Sequence, residues 1–127
     1  MSYRVLVVDD SKLARMAVAK VLSSLRPDWE KIDATNAQEA LTLVKQSEVD
    51  ITLLDFNMPG QDGLSLAAEL RELRPRMPVA VISANHQKEI VVRTNEVGAV
   101  FLSKPLTKEA LSDFLDSATK RLKTEAP

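Results

Sequence analysis

The chain predicts an α/β doubly wound domain built on a parallel sheet, and three observations carry that prediction. Five short apolar runs recur along 127 residues, stretches of helical period separate them, and four of the five runs end in polar side chains. Runs this short and continuously apolar suit strands buried on both faces, the mark of a parallel sheet whose crossover helices cover it on either side. Right-handed crossovers follow from the twist of the strands.

The first run is VLVV, Val5 to Val8. After it Ala14, Ala17, Val18, Val21, Leu22 and Leu25 share one helical stripe, so the helix they define lies on the sheet by one face. The second run, KIDA from Lys31 to Ala34, is weak and polar enough to predict an edge strand. Asn36 followed by Glu39 has the spacing of a capping box and opens a helix from Ala37 to about Lys45. The third and fourth runs are ITLL, Ile51 to Leu54, and VAVI, Val79 to Ile82. A helix from about Lys88 closes at Gly98, a C-terminal glycine, and the fifth run, AVFL, covers Ala99 to Leu102. Thr107 can cap the last helix, whose stripe is Leu111, Phe114, Leu115, Ala118 and Leu122. Pro27, Pro75 and Pro78 fall in connections, where the missing N–H costs little. The tail from Lys123 to Pro127 reads as a frayed end.

Composition bounds what such a domain can do. Seventeen basic residues against eighteen acidic ones, with a pI near 5.8, leave no charge excess for a polyanion, so no nucleic-acid partner is expected. The N-terminal apolar stretch is too short for a signal peptide or a membrane span, which predicts a cytoplasmic protein with no membrane partner. Without cysteine, and with His86 as the single histidine, any metal must bind oxygen. Three glycines, Gly60, Gly63 and Gly98, stand where average usage predicts about nine, so each marks a backbone that needs glycine.

In doubly wound sheets the ligand crevice lies outside the carboxyl ends of the strands. There the chain places Asp9 and Asp10, then Asp55, Ser83 and Lys104. Each aspartate alone reads as a cap or turn former. Three together repel one another unless a cation lies between them, and with this donor set the natural choice is Mg²⁺. A lysine and a hydroxyl beside such an ion suit a phosphoryl group, and an aspartate can accept one as an acyl phosphate.

These residues, in order and each after a predicted strand, resemble the receiver domain of two-component response regulators. The resemblance runs from about Arg4 to Leu122 and rests on Asp9-Asp10, on LLDFNMPGQDG from Leu53 to Gly63, on Ser83-Ala84 and on Lys104-Pro105. It implies the flavodoxin-like (βα)5 three-layer sandwich with strand order 2-1-3-4-5, an order the handedness rules alone do not fix. It makes Asp55 the phosphoacceptor, supplied by a histidine kinase or a histidine phosphotransfer protein. It makes Asp10, Asp55 and the backbone carbonyl of Asn57 the ligands of Mg²⁺, or of Mn²⁺ in its place, with Asp9 acting through water. Lys104 would pair with Asp55 and then with the phosphoryl group, which Ser83 and the N–H groups of Asn57 and Ala84 would also hold. The Lys104–Pro105 bond is expected to be cis. Phe101 takes the aromatic switch position, and Ser83 with Phe101 would pass the signal to a surface formed by the fourth helix, fifth strand and fifth helix.

Two residues depart from the common family pattern: Ser83 stands for threonine and Phe101 for tyrosine. The first keeps the hydroxyl, and the second leaves burial alone to drive the switch. Asn57 and Asn85 flank the phosphoryl position and bear on its hydrolysis. His86 reads as an exposed residue at a helix start, Trp29 as half-buried before the second strand, and Lys120, Arg121 and Lys123 as partners of a helix dipole.

A single receiver domain over residues 1–127, with its core in 4–122 and no output domain, would act by docking on a downstream protein as a messenger, a relay intermediate or a phosphate sink. Chemotaxis is one pathway it suits. A monomer is expected, with a phosphorylation-dependent dimer as the variant. The rival readings are a receiver-like docking module that works without phosphorylation and, more remotely, an aspartyl-phosphate phosphohydrolase. Asp55-Phe56-Asn57 lacks the second aspartate which that last class requires. The domain itself is expected to be a signalling unit, not an enzyme.

Overall fold

The computed structural model describes residues 2–58, 60–85 and 87–124. Five strands alternate with five helices: β1 Arg4–Val8, α1 Lys12–Leu25, β2 Glu30–Ala34, α2 Ala37–Gln46, β3 Ile51–Asp55, α3 Gly63–Leu73, β4 Val79–Ser83, α4 Lys88–Glu96, β5 Val100–Ser103 and α5 Lys108–Thr124. All strand pairs are parallel and the order is β2-β1-β3-β4-β5, the flavodoxin-like arrangement. The chain leaves β1 to one side for β2 and returns to the other for β3. The topological switch point therefore lies between β1 and β3.

Alternation along the strands divides the core in two. Leu6, Val8, Leu54, Val79 and Val81 face Ala40 and Val44 of α2 and Leu66 and Leu70 of α3. Val5, Val7, Ile51, Leu53, Ala80 and Ile82 face Leu22 of α1 and Leu111, Phe114, Leu115 and Ala118 of α5. These side chains are nearly inaccessible on both faces, which is why β1, β3 and β4 are mostly apolar; Thr52 of β3 is also fully buried, its hydroxyl donating to Met77 Sδ at 3.4 Å.

Local signals act where the sequence places them. Asn36 accepts from the Glu39 N–H at 2.8 Å and Thr107 from the Ala110 N–H at 3.1 Å. Glu39 reaches back to the Thr35 N–H at 2.6 Å, one residue before the cap, so the reciprocal half of the capping box is displaced by one position. Ser11 and Asp62 cap α1 and α3 in the same way. Gly98, at φ +80°, supplies the left-handed residue that leads from α4 into β5.

Four expectations are corrected. β5 begins at Val100 and is not buried on both faces: Val100 is 44% exposed, because β5 is the sheet's second edge. On α1 only Leu22 of the predicted stripe is fully buried; Val18, Val21 and Leu25 pack half-buried against the same core, Ala14 is half-buried and Ala17 is exposed. Asp55 and Ser83 are the last residues of their strands, not the first beyond them. α5 continues through Lys123 and Thr124, with the Thr124 hydroxyl donating to the Lys120 carbonyl at 3.0 Å, so the tail is helical that far. His86 lies outside the described residues.

Candidate functional site

The strand ladders run one step past the strands and hold the site's backbone. The Asp9 N–H donates to the Ala34 carbonyl at 3.1 Å, Phe56 N–H to Ile82 at 2.9 Å, and Lys104 N–H to Ser83 at 3.0 Å. Residues at the ends of β1, β3 and β5 are thereby fixed by the sheet and not by loops, which gives the side chains beside them a rigid base.

On that base Asp9, Asp10 and Asp55 each present a carboxylate oxygen within 4.8 Å of the others. Asp9 and Asp55 are buried and Asp10 is exposed. At such a separation two carboxylates repel by about 3 kcal/mol for an effective dielectric of about 20. One cation offsets part of this: Lys104 Nζ lies 2.6 Å from Asp55 Oδ1. The Asp9 carboxyl is pushed above the ordinary aspartate range, first by burial, with the charges of Asp55 and Asp10 adding to it; the Ser11 N–H and Lys104 oppose the rise. A cluster of three carboxylates and one ammonium thus keeps an excess of negative charge facing the crevice.

The remaining predicted residues lie on β4, on β5 and on the loops that follow β3, β4 and β5. Ser83 is buried at the end of β4, and its Oγ accepts from the Asn85 N–H at 3.0 Å. The Lys104–Pro105 bond is cis. Asn57 and Ala84 are exposed on the loops after β3 and β4. Phe101 is half-buried on β5, in register with Val81 two residues before Ser83.

Gly63 starts α3 hard against the strand that carries Asp55, its N–H donating to the Phe56 carbonyl at 2.8 Å. Gly60, at φ +85°, turns the loop between them.

Residue patterns did not point to Arg15. Its Nη1 donates to the Asp9 carbonyl at 2.6 Å, and its Nε lies 3.9 Å from Asp33 Oδ2. Only a basic residue six positions beyond Asp9 hints at this in the sequence, and an amphipathic helix carries such residues for solubility alone.

Three carboxylates and an ammonium gathered at the switch point of a doubly wound parallel sheet define an α/β domain with a charged crevice, and comparison gives its family. The family model of the response regulator receiver domain matches residues 5–116, and the chain belongs to that family, the CheY-like receivers of two-component systems. Among curated relatives, the positive alginate biosynthesis regulatory protein of Pseudomonas aeruginosa is 40% identical over 120 residues, covering 91% of this chain and 47% of the relative. The glycerol metabolism activator of Pseudomonas putida is 34% identical over 116 residues, covering 90% and 52%. The chain thus spans about half the length of these two relatives. Among solved structures, chemotaxis protein CheY4 of Vibrio cholerae superposes with a TM-score of 0.82 at 26% identity, covering 93% of this chain and 99% of that one. The signal receiver domain of an HD domain-containing protein from Pseudomonas fluorescens has the same fold, with a TM-score of 0.89 at 24% identity over 98% and 100% of the two chains. No helix among the described residues is long and apolar enough to cross a membrane.

Proposed function

We propose that this domain accepts a phosphoryl group on Asp55 from the phosphohistidine of a histidine kinase or phosphotransfer protein and converts it into a change of docking surface. The observation that carries the reading is the buried Asp55 carboxylate, 2.6 Å from Lys104 Nζ and clustered with two further aspartates at the switch point. Asp55 is a nucleophile held at the carboxyl end of the sheet's central strand. Its attack on phosphorus would break the phosphorus–nitrogen bond of the donor and form an acyl phosphate.

The donor set suits Mg²⁺. Three carboxylates without sulfur or a described imidazole favour a hard cation, and their oxygens lie within 4.8 Å of one another, close enough for one ion to be shared. Asp10, Asp55 and the Asn57 carbonyl would hold it, with Asp9 reaching it through water. When bound, the ion supplies the positive charge that a phosphoryl group needs among these carboxylates. Lys104 then shifts its pairing from the Asp55 carboxylate to a phosphoryl oxygen, and the Ser83 hydroxyl and the N–H groups of Asn57 and Ala84 donate to the others.

Drawing Ser83 inward vacates space that the half-buried Phe101 ring fills, and burial drives the movement because that ring has no hydroxyl. The altered surface includes Val92 on α4 and Val100 on β5, both large apolar residues left exposed. A change there is a shift between two packings of one fold. The unit so described is a single receiver domain whose own output is docking in the cytoplasm.

Borohydride reduces an acyl phosphate to an alcohol, which marks the position that carried it. Protein incubated with Mg²⁺ and acetyl phosphate and then reduced is expected to show the change at residue 55. A mark at Asp9 or Asp10, or none, overturns the assignment.

A further inference from the structure

Arg15 lies in the first turn of α1, behind the turn that carries Asp9 and Asp10, and its side chain is only 11% exposed. Its strong contact is with a backbone atom: Nη1 grips the Asp9 carbonyl at 2.6 Å. Its Nε is buried without a hydrogen bond and has only the 3.9 Å approach to Asp33 on β2. Burying a guanidinium on so few partners is costly, so the grip on Asp9 has to offset that cost. The Asp9 carbonyl belongs to the rigid peptide plane joining Asp9 to Asp10. Its other anchors are the Asp9 N–H on Ala34 and the Asp9 carboxylate, which accepts from the Ser11 N–H and so closes a turn around Asp10. Asp10 has an exposed side chain, and the backbone of that turn, the gripped plane included, sets its direction.

We propose that Arg15 is a positioning residue for the carboxylate cluster: by holding the Asp9 carbonyl it sets the Asp9–Asp10 peptide plane, and so aims Asp10 at the place of a divalent cation. This rests on the reading of the cluster as a Mg²⁺ site. Charge alone argues the opposite. A guanidinium beside the site repels a dication, so if Arg15 acted as a charge its removal would tighten binding. A merely structural role would lower stability and leave affinity where it was.

The test is a titration of the full chain with Mg²⁺, followed by the backbone amide shifts of residues 9–11 and 55–57, in the wild type, R15M and R15K. Removing a side chain that orients a metal ligand typically weakens binding ten- to a hundredfold, and R15M is expected to lose about tenfold. R15K keeps the charge without the planar fork and should weaken binding by less. Unchanged or tighter binding in R15M overturns the proposal. Should R15M not fold, R15K decides alone: weaker binding at equal charge supports positioning, while equal or tighter binding refutes it. A wild type that shows no Mg²⁺ response overturns the metal-site reading along with this one, whereas a responsive wild type with unaffected variants overturns this one only.

Discussion

A Cβ at position 63 would stand 2.6 Å from the Asp55 carbonyl oxygen, 2.7 Å from Phe56 Cα and 2.8 Å from Leu54 Cδ1. Two of these are backbone atoms of the strand end that presents Asp55, and they cannot yield without moving it. G63A is therefore expected to destabilise the domain by about 1–3 kcal/mol, as overpacking does, read as a lower thermal midpoint. An unchanged midpoint would refute the close approach. At Glu39 the effect is electrostatic: the Thr35 hydroxyl and N–H hold its carboxyl below the ordinary glutamate value of 4.5. A carboxyl whose value falls on folding stabilises the native state above its unfolded value and loses that contribution as pH drops through the folded one. E39Q should thus melt below the wild type at neutral pH, with a gap that closes in acid; a gap constant with pH would contradict this. The sequence announces Gly63 through its rarity and Glu39 through its spacing from Asn36. Arg15 it does not announce, because a bond to a backbone carbonyl leaves no mark on the type of residue that accepts it.

The elements differ in how firmly they are tied down. α1 buries Leu22 fully on the stripe that faces the sheet, while Leu13 and Met16, off that stripe, are 78% and 55% exposed. L22A should cost about 2–5 kcal/mol in urea unfolding, and L13A less than about 0.5 kcal/mol. Comparable costs would contradict the one-sided packing of the helix. Helical period identifies the stripe on α1 but not that Ala17 within it stays exposed while Leu22 is buried, since depth depends on how closely the helix approaches the sheet. β5 teaches the same lesson: AVFL is as apolar as the central runs, yet Val100 is exposed because strand order, absent from local composition, leaves β5 at an edge.

At the scale of the whole molecule the α/β class and the count of elements were legible from periodicity, and the carboxylate cluster with its lysine from polar residues at strand ends. The order 2-1-3-4-5 was legible only through family resemblance, since handedness rules admit other orders. That order builds the candidate site, because it sets the switch point between β1 and β3 and brings Asp9 and Asp10 against Asp55. The central claim is that this cluster, with its cation, receives a phosphoryl group on Asp55. Intact-mass spectrometry of wild type and D55N after incubation with acetyl phosphate, with Mg²⁺ or with a chelator, tests it most directly. One phosphoryl mass is predicted on the wild type with Mg²⁺, and none on D55N or in the presence of the chelator. Equal incorporation in D55N, or incorporation indifferent to the chelator, would contradict it.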